Sequence, residues 1–173
     1  MPPPRLTDTS HAVLGLLDGC GPSTPYRLKQ IAQAGMFHIW SIPHTQLYTE
    51  CARLAEAGLL TERREEGGRR RRVYSLSSSG RKALERWLAD PRADLYELRD
   101  PGLLKLSFGA DPAALAETQL EHHRARLAAY EEILGVREMP DSTRLPIEAG
   151  IGHEREYIRF WSRLRGDDGE SVS

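Results

Sequence analysis

The chain changes its hydrophobic period at Gly58, and that switch limits what it can fold into. Before it, Leu47, Cys51, Leu54 and Ala55 recur at i, i+4, i+7 and i+8, one apolar face of a helix with 3.6 residues per turn. After it, Leu59 to Glu66 and Arg69 to Leu76 are two extended runs on either side of Gly67-Gly68. A Gly-Gly pair between such runs predicts a two-residue hairpin, because both central residues need positive φ. Tyr74 and Leu76, two apart, point to the core side of the second strand.

Helices are predicted on both sides of this hairpin. The first opens at Thr9 or Ser10 as N-cap, runs through Ala12, Val13, Leu14, Leu16 and Leu17, and stops near Gly19-Cys20-Gly21-Pro22. The second has Thr24 as N-cap and Pro25 at N1, with Leu28, Ile31 and Ala32 as its buried stripe. The third carries Pro43 in its first turn and Gly58 as its C′ residue. Its opposite surface carries His44, Thr45, Gln46, Thr49 and Arg53. Ser77 caps a fourth helix through Leu84, Trp87 and Leu88, ending at Asp90-Pro91.

From residue 101 to 165 the pattern is helical throughout. Leu103, Leu104, Leu106 and Phe108 form a short segment, and Pro112 opens a long helix with Leu115, Leu120, Leu127, Tyr130 and Leu134 on its apolar side. A last helix after Pro146 carries Ile147, Ile151, Ile158 and Trp161. Part of this amphipathic surface is expected to meet a second copy of the chain.

The expected fold class is therefore mainly α: a winged helix-turn-helix of three helices plus a two-stranded β-wing, followed by a helical dimerisation domain. The expected boundaries are a disordered tail over 1–8, the winged helix over 9–90, the helical domain over 91–165 and a disordered tail over 166–173.

Charge separates along the same division. The 173 residues hold 24 Lys+Arg and 25 Asp+Glu, a net charge of -1. Residues 1–88, however, contain 13 basic and 8 acidic side chains, and residues 89–173 contain 11 basic and 17 acidic. A basic half suited to a polyanion is thus joined to an acidic half. No apolar run approaches the ~20 residues of a membrane span. Met1-Pro2-Pro3-Pro4-Arg5 leads into no apolar signal segment, and Cys20 and Cys51 have no CxxC partner. These features point to a reduced, cytoplasmic protein.

A winged helix that reads duplex DNA must expose short polar side chains from its third helix to base edges. His44, Thr45, Gln46 and Thr49 fit that role, Gln46 has the geometry to pair bidentately with adenine, and Arg53 on the same surface is a further DNA-binding candidate. The wing needs cations that reach adjacent phosphates, which Arg69, Arg70, Arg71 and Arg72 supply, with Arg63 and Arg64 on the partner strand. Phosphate contacts of this kind set register without carrying sequence information.

Several blocks, in order, resemble the PadR-like transcriptional regulators. Ala12 to Leu17 is similar to that family's first helix, and Tyr26-Arg27-Leu28 to the motif opening its second. Ser41 to Tyr48 resembles the start of its recognition helix, Arg53 to Leu60 the exit into the wing, and Tyr74 to Gly80 the last strand and following cap. Leu103 to Gly109 and the long helix after it resemble its C-terminal dimerisation region. Two positions depart from the pattern. Pro25 stands where the family usually has Gly, which suits a helix start, and Cys51 replaces a larger aliphatic on the buried stripe. The resemblance implies a homodimer that binds an inverted-repeat operator and usually represses transcription. It also implies phosphate contacts from the hydroxyls of Tyr26 and Tyr48, and backbone or minor-groove contacts from the wing arginines. Because some family members bind flat aromatic effectors at the dimer interface, Trp87 and Trp161 become candidate effector contacts.

Other readings compete. The arginine run also suits a solvated edge that protects a hairpin from aggregation, and the whole domain suits a protein-interaction module without DNA affinity. His122-His123 point some 100° apart on one helix, and His153-Glu154-Arg155-Glu156-Tyr157 has Tyr where a zincin helix needs its second His. Surface histidines, no metal, no cofactor and no catalysis are expected. Neither cysteine has surroundings that would lower its pKa for redox sensing.

Overall fold

The computed structural model describes residues 4–35, 42–64, 71–95, 97–136 and 138–166. The chain divides into two compact units, Met1–Asp94 and Leu95–Ser173. The described elements run α1 (Asp8–Cys20), α2 (Pro25–Gly35), α3 (His44–Glu56), β1 (Leu60–Arg64), β2 (Arg72–Leu76) and α4 (Ser78–Ala89) in the first unit. The second holds α5 (Pro101–Ser107), α6 (Pro112–Val136) and α7 (Asp141–Arg165). No helix among the described residues is long and apolar enough to cross a membrane.

The N-cap of α1 is Thr7, not Thr9 or Ser10. Thr7 Oγ1 accepts from the Ser10 backbone N–H at 3.3 Å, while Ser10 Oγ accepts from the Thr7 N–H at 2.8 Å. Ser10 thus takes the N3 part of a capping box, which is more often played by Glu or Gln. Order also begins earlier than the expected tail over 1–8 allows, because Leu6 packs against the hydrophobic core. Residues 1–3 and 167–173 lie outside the described residues, as does Trp40.

Thr24 caps α2 as expected, accepting from Arg27 N–H at 3.3 Å with Pro25 in the first helical position. Pro43 is the N-cap of α3 rather than part of its first turn. At the other end Gly58 has φ 73°, its N–H bonds the Ala55 carbonyl and the Leu59 N–H bonds that of Leu54. This pair of bonds closes the helix as a Schellman motif, which requires the left-handed residue.

The wing is antiparallel, from Leu60↔Leu76 to Arg64↔Arg72. An unbroken ladder running into a two-residue Gly67-Gly68 turn would instead set Arg64 opposite Arg71, so the pairing is offset by one residue. Burial accounts for the offset. Opposed residues share a face, and the buried Leu60 must face Leu76 to lie on the core side with Tyr74. Gly67-Gly68 itself lies outside the described residues. On its other edge Tyr74 exchanges two backbone hydrogen bonds with Ser23, both 2.9 Å, which tie the wing to the segment between α1 and α2.

The first core gathers Val13, Leu14 and Leu17 from α1, Leu28 from α2, Leu47, Cys51 and Leu54 from α3, and Tyr74, Ala83 and Leu84 behind them. Trp87 and Leu88, placed by sequence on the apolar run of α4, remain substantially exposed. α4 is seated by Gly80, where a Cβ would stand 2.1 Å from the Leu59 carbonyl oxygen. Gly80→Ala should therefore destabilise the unit by about 1–3 kcal/mol through overpacking, against a helix-propensity gain of about 1 kcal/mol. Denaturant unfolding measures the balance; a more stable variant would mean that Gly80 is not a close contact.

In the second unit, Ala116 and Leu120 of α6 meet Ile158 and Trp161 of α7, and Tyr130 packs with Ile147 and Ile151 further along. α7 begins at Asp141, five residues before Pro146, so Pro146 lies inside the helix rather than ahead of it. Early in the helix its missing N–H forfeits a single bond, to the carbonyl of Ser142. In α5, Leu103 and Leu106 pack inward while Leu104 and, beyond the helix end, Phe108 face solvent.

Candidate nucleic-acid interface

Burying Leu47, Cys51 and Leu54 leaves the other flank of α3 open. His44, Thr45, Gln46, Tyr48 and Thr49 are all exposed. The rings of His44 and Tyr48 lie 4.6 Å apart, tilted by 46°. Thr49 Oγ1 donates to the Thr45 carbonyl at 3.0 Å, and Gln46 Nε2 donates to Thr9 Oγ1 of α1 at 3.3 Å. In α2, Tyr26 is 58% exposed and its hydroxyl accepts from Gln30 Nε2.

Arg53 departs from the expected open flank. Its guanidinium donates to both Glu50 oxygens at 2.6 and 2.9 Å, to Ser10 Oγ at 3.0 Å and to the Arg5 carbonyl at 3.3 Å. With Gln46–Thr9, these bonds form a polar rail that fixes the angle of α3 against α1. Glu50, buried on α3, was missed by sequence reasoning; its only signal was the Glu-x-x-Arg spacing. The Arg53 hydrogen bond, stronger than the opposing effect of burial, holds the Glu50 carboxyl below its ordinary pKa. A depressed native pKa stabilises above the unfolded carboxylate value and is lost as pH falls through the native one. Arg53→Ala should cost about 1.5–3 kcal/mol at neutral pH, the worth of hydrogen bonds to a charged group. In paired unfolding curves the deficit should narrow on acidification; a deficit independent of pH would contradict the charged rail.

The wing arginines divide by face. Arg64 Nε lies 3.3 Å and Arg72 Nη1 3.6 Å from the Glu62 carboxylate, which also accepts from the Tyr74 hydroxyl at 3.2 Å. Burial raises the Tyr74 pKa, so this hydroxyl stays a donor. Arg63 and Arg71 are exposed and have no ion-pair partner among the described residues. Arg69 and Arg70 lie outside the described residues.

The remaining candidates separate clearly. Trp87 is 43% exposed and stacks flat on His11, with centroids 4.6 Å apart and planes 6° apart. Trp161 is 0% exposed and lies at the centre of the second core. His123 is not a surface histidine either; its Nδ1 lies 2.5 Å from Oε2 of the buried Glu154. Among the described residues no group of three or more His, Cys, Asp or Glu is placed to hold a metal ion. Cys51 is buried, and burial pushes its thiol up to about 12, far from a reactive thiolate.

An exposed polar helix flank followed by a cationic β-ribbon is a geometry with known relatives. The sequence model of the transcriptional regulator PadR-like family matches residues 13–86, from α1 into α4. The match takes in the winged-helix part of the chain. The chain is 27% identical over 167 residues to the negative transcriptional regulator PadR of Bacillus subtilis, covering 87% of this chain and 91% of that one. Its fold matches the crystal structure of Bacillus subtilis PadR in complex with operator DNA, with a TM-score of 0.80 at 23% identity over 95% of this chain and 99% of that one. The same protein in complex with p-coumaric acid matches at a TM-score of 0.73 and 22% identity, covering 96% and 100%. The Vibrio cholerae virulence activator AphA matches at 0.69 and 23%, covering 92% and 97%. PadR-like architecture therefore extends through α5, α6 and α7, beyond the stretch matched by the family model.

Proposed function

We propose that this chain is a PadR-like transcriptional regulator, a cytoplasmic repressor that binds an inverted-repeat operator as a homodimer and is released by a small aromatic effector. The observation that carries the reading is the open polar flank of α3, held by the polar rail, in the same domain as a wing with exposed arginines. Residues 9–90 are assigned to DNA binding and 91–165 to dimerisation. His44, Thr45, Gln46 and Thr49 read base edges, with Gln46 exchanging its Thr9 bond for an adenine edge. Tyr26, Tyr48 and the wing residues Arg69, Arg70, Arg71 and Arg72 contact phosphate. Arg53 acts behind this surface by fixing the helix angle.

Pairing through the C-terminal helices sets two recognition helices about one turn of DNA apart, roughly 34 Å. An effector that favours a different separation loses the operator, because the two half-sites no longer bind together. Trp87, half-exposed and already stacked on an imidazole, is the aromatic surface suited to a flat ligand of the p-coumaric acid kind, the compound bound by the Bacillus subtilis relative. Titration of the purified chain against random-sequence duplex at several salt concentrations tests the reading. Affinity should fall linearly with log salt, by about 0.9 per phosphate contact. Affinity absent at low salt would refute the reading.

A further inference from the structure

We propose that Glu62 is an affinity-setting residue of the wing: its carboxylate holds Arg64 and Arg72 in competition with DNA phosphate and so limits sequence-independent binding. The inference rests on the DNA-binding reading above. Register puts Glu62, Arg64, Arg72 and Tyr74 on one face of the hairpin, with Glu62 opposite Tyr74 and Arg64 opposite Arg72. The Tyr74 hydroxyl fixes the carboxylate from the core side at 3.2 Å, and the two guanidinium groups approach it at 3.3 and 3.6 Å. Both arginine side chains remain more than half exposed, whereas Glu62 is 24% exposed. A guanidinium has five donors, so each arginine keeps others for an incoming phosphate.

The fold does not require the negative charge. An amide oxygen accepts from the Tyr74 hydroxyl as well as a carboxylate oxygen does. The charge instead sits beside two cations aimed at a polyanion, where it cancels one unit of their attraction and repels the phosphates they approach. Since phosphate contacts carry no base information, Glu62 lowers affinity for operator and random duplex alike.

Glu62→Gln is the test, with a random-sequence duplex as probe and the salt dependence as readout. The variant should bind more tightly, and its salt slope should steepen by up to about 0.9. The gain should accordingly shrink about 3.5-fold between roughly 50 and 200 mM salt. Most of it should vanish in an Arg64→Ala/Arg72→Ala background, which separates local competition from a general change in net charge. Glu62→Ala, which also removes the Tyr74 bond, should steepen the slope equally while lowering stability. A slope and affinity unchanged in Glu62→Gln, or weaker binding, would overturn the proposal while leaving wild-type DNA binding intact. A wild type without duplex affinity would overturn both readings.

Discussion

Replacing Arg70, Arg71 and Arg72 together with alanine is expected to weaken binding to every duplex by on the order of 100-fold near 0.1 M salt. Each phosphate contact contributes about 0.9 to the slope of log affinity against log salt, so three would contribute about 2.7. The measured decrease should be smaller, because Arg72 already shares the Glu62 carboxylate. Preference between operator and random sequence should survive, since the α3 flank proposed to read bases is untouched. Binding isotherms at two salt concentrations distinguish this from the bland alternative, in which the arginines only keep a hairpin edge soluble. In that case neither affinity nor slope changes.

The second large effect is structural. Trp161→Ala should destabilise the C-terminal unit by about 3–5 kcal/mol, the usual cost of truncating a buried aromatic side chain. Trp161 is fully buried among Ala116, Leu120 and Ile158, and a Cβ on Gly102 would stand 3.1 Å from its ring, so no neighbour is free to fill the space. Trp87→Ala removes a half-exposed ring stacked on His11 and should cost only about 0.5–1.5 kcal/mol. Tryptophan-resolved unfolding curves compare the two. Near-equal losses would mean that Trp161 is not the centre of its core.

The parts of this fold readable from sequence are those determined within one or two turns. Thr24-Pro25, Ser77 and Gly58 act on backbone groups within a few residues, and the Leu47-Cys51-Leu54 stripe needs only helical spacing. What escaped depends on partners distant in sequence. Glu50 and Arg53 look like surface charges until Ser10, 43 residues from Arg53, closes the rail. His123 looks solvated until Glu154, 31 residues away, meets it across two helices. Pro146 misplaced the start of α7 because proline is commonest in a first turn, although a helix tolerates it slightly deeper. The wing register was within reach: Leu60 belongs on the core side, which favours Leu76 over Ser75 as its opposite residue. The exposed flank of α3 was legible as a pattern, but the inward commitment of Arg53 was not, because helical spacing alone places it at the margin of that flank.

The central claim is that two copies of the α3 flank and wing are presented together to one duplex. Selection of bound DNA from a random pool by the purified chain addresses it most directly. The account predicts enrichment of an inverted repeat whose half-site centres lie about one helical turn apart, roughly 10 base pairs. Enrichment of a single unrepeated site, or of no sequence at all, would contradict it.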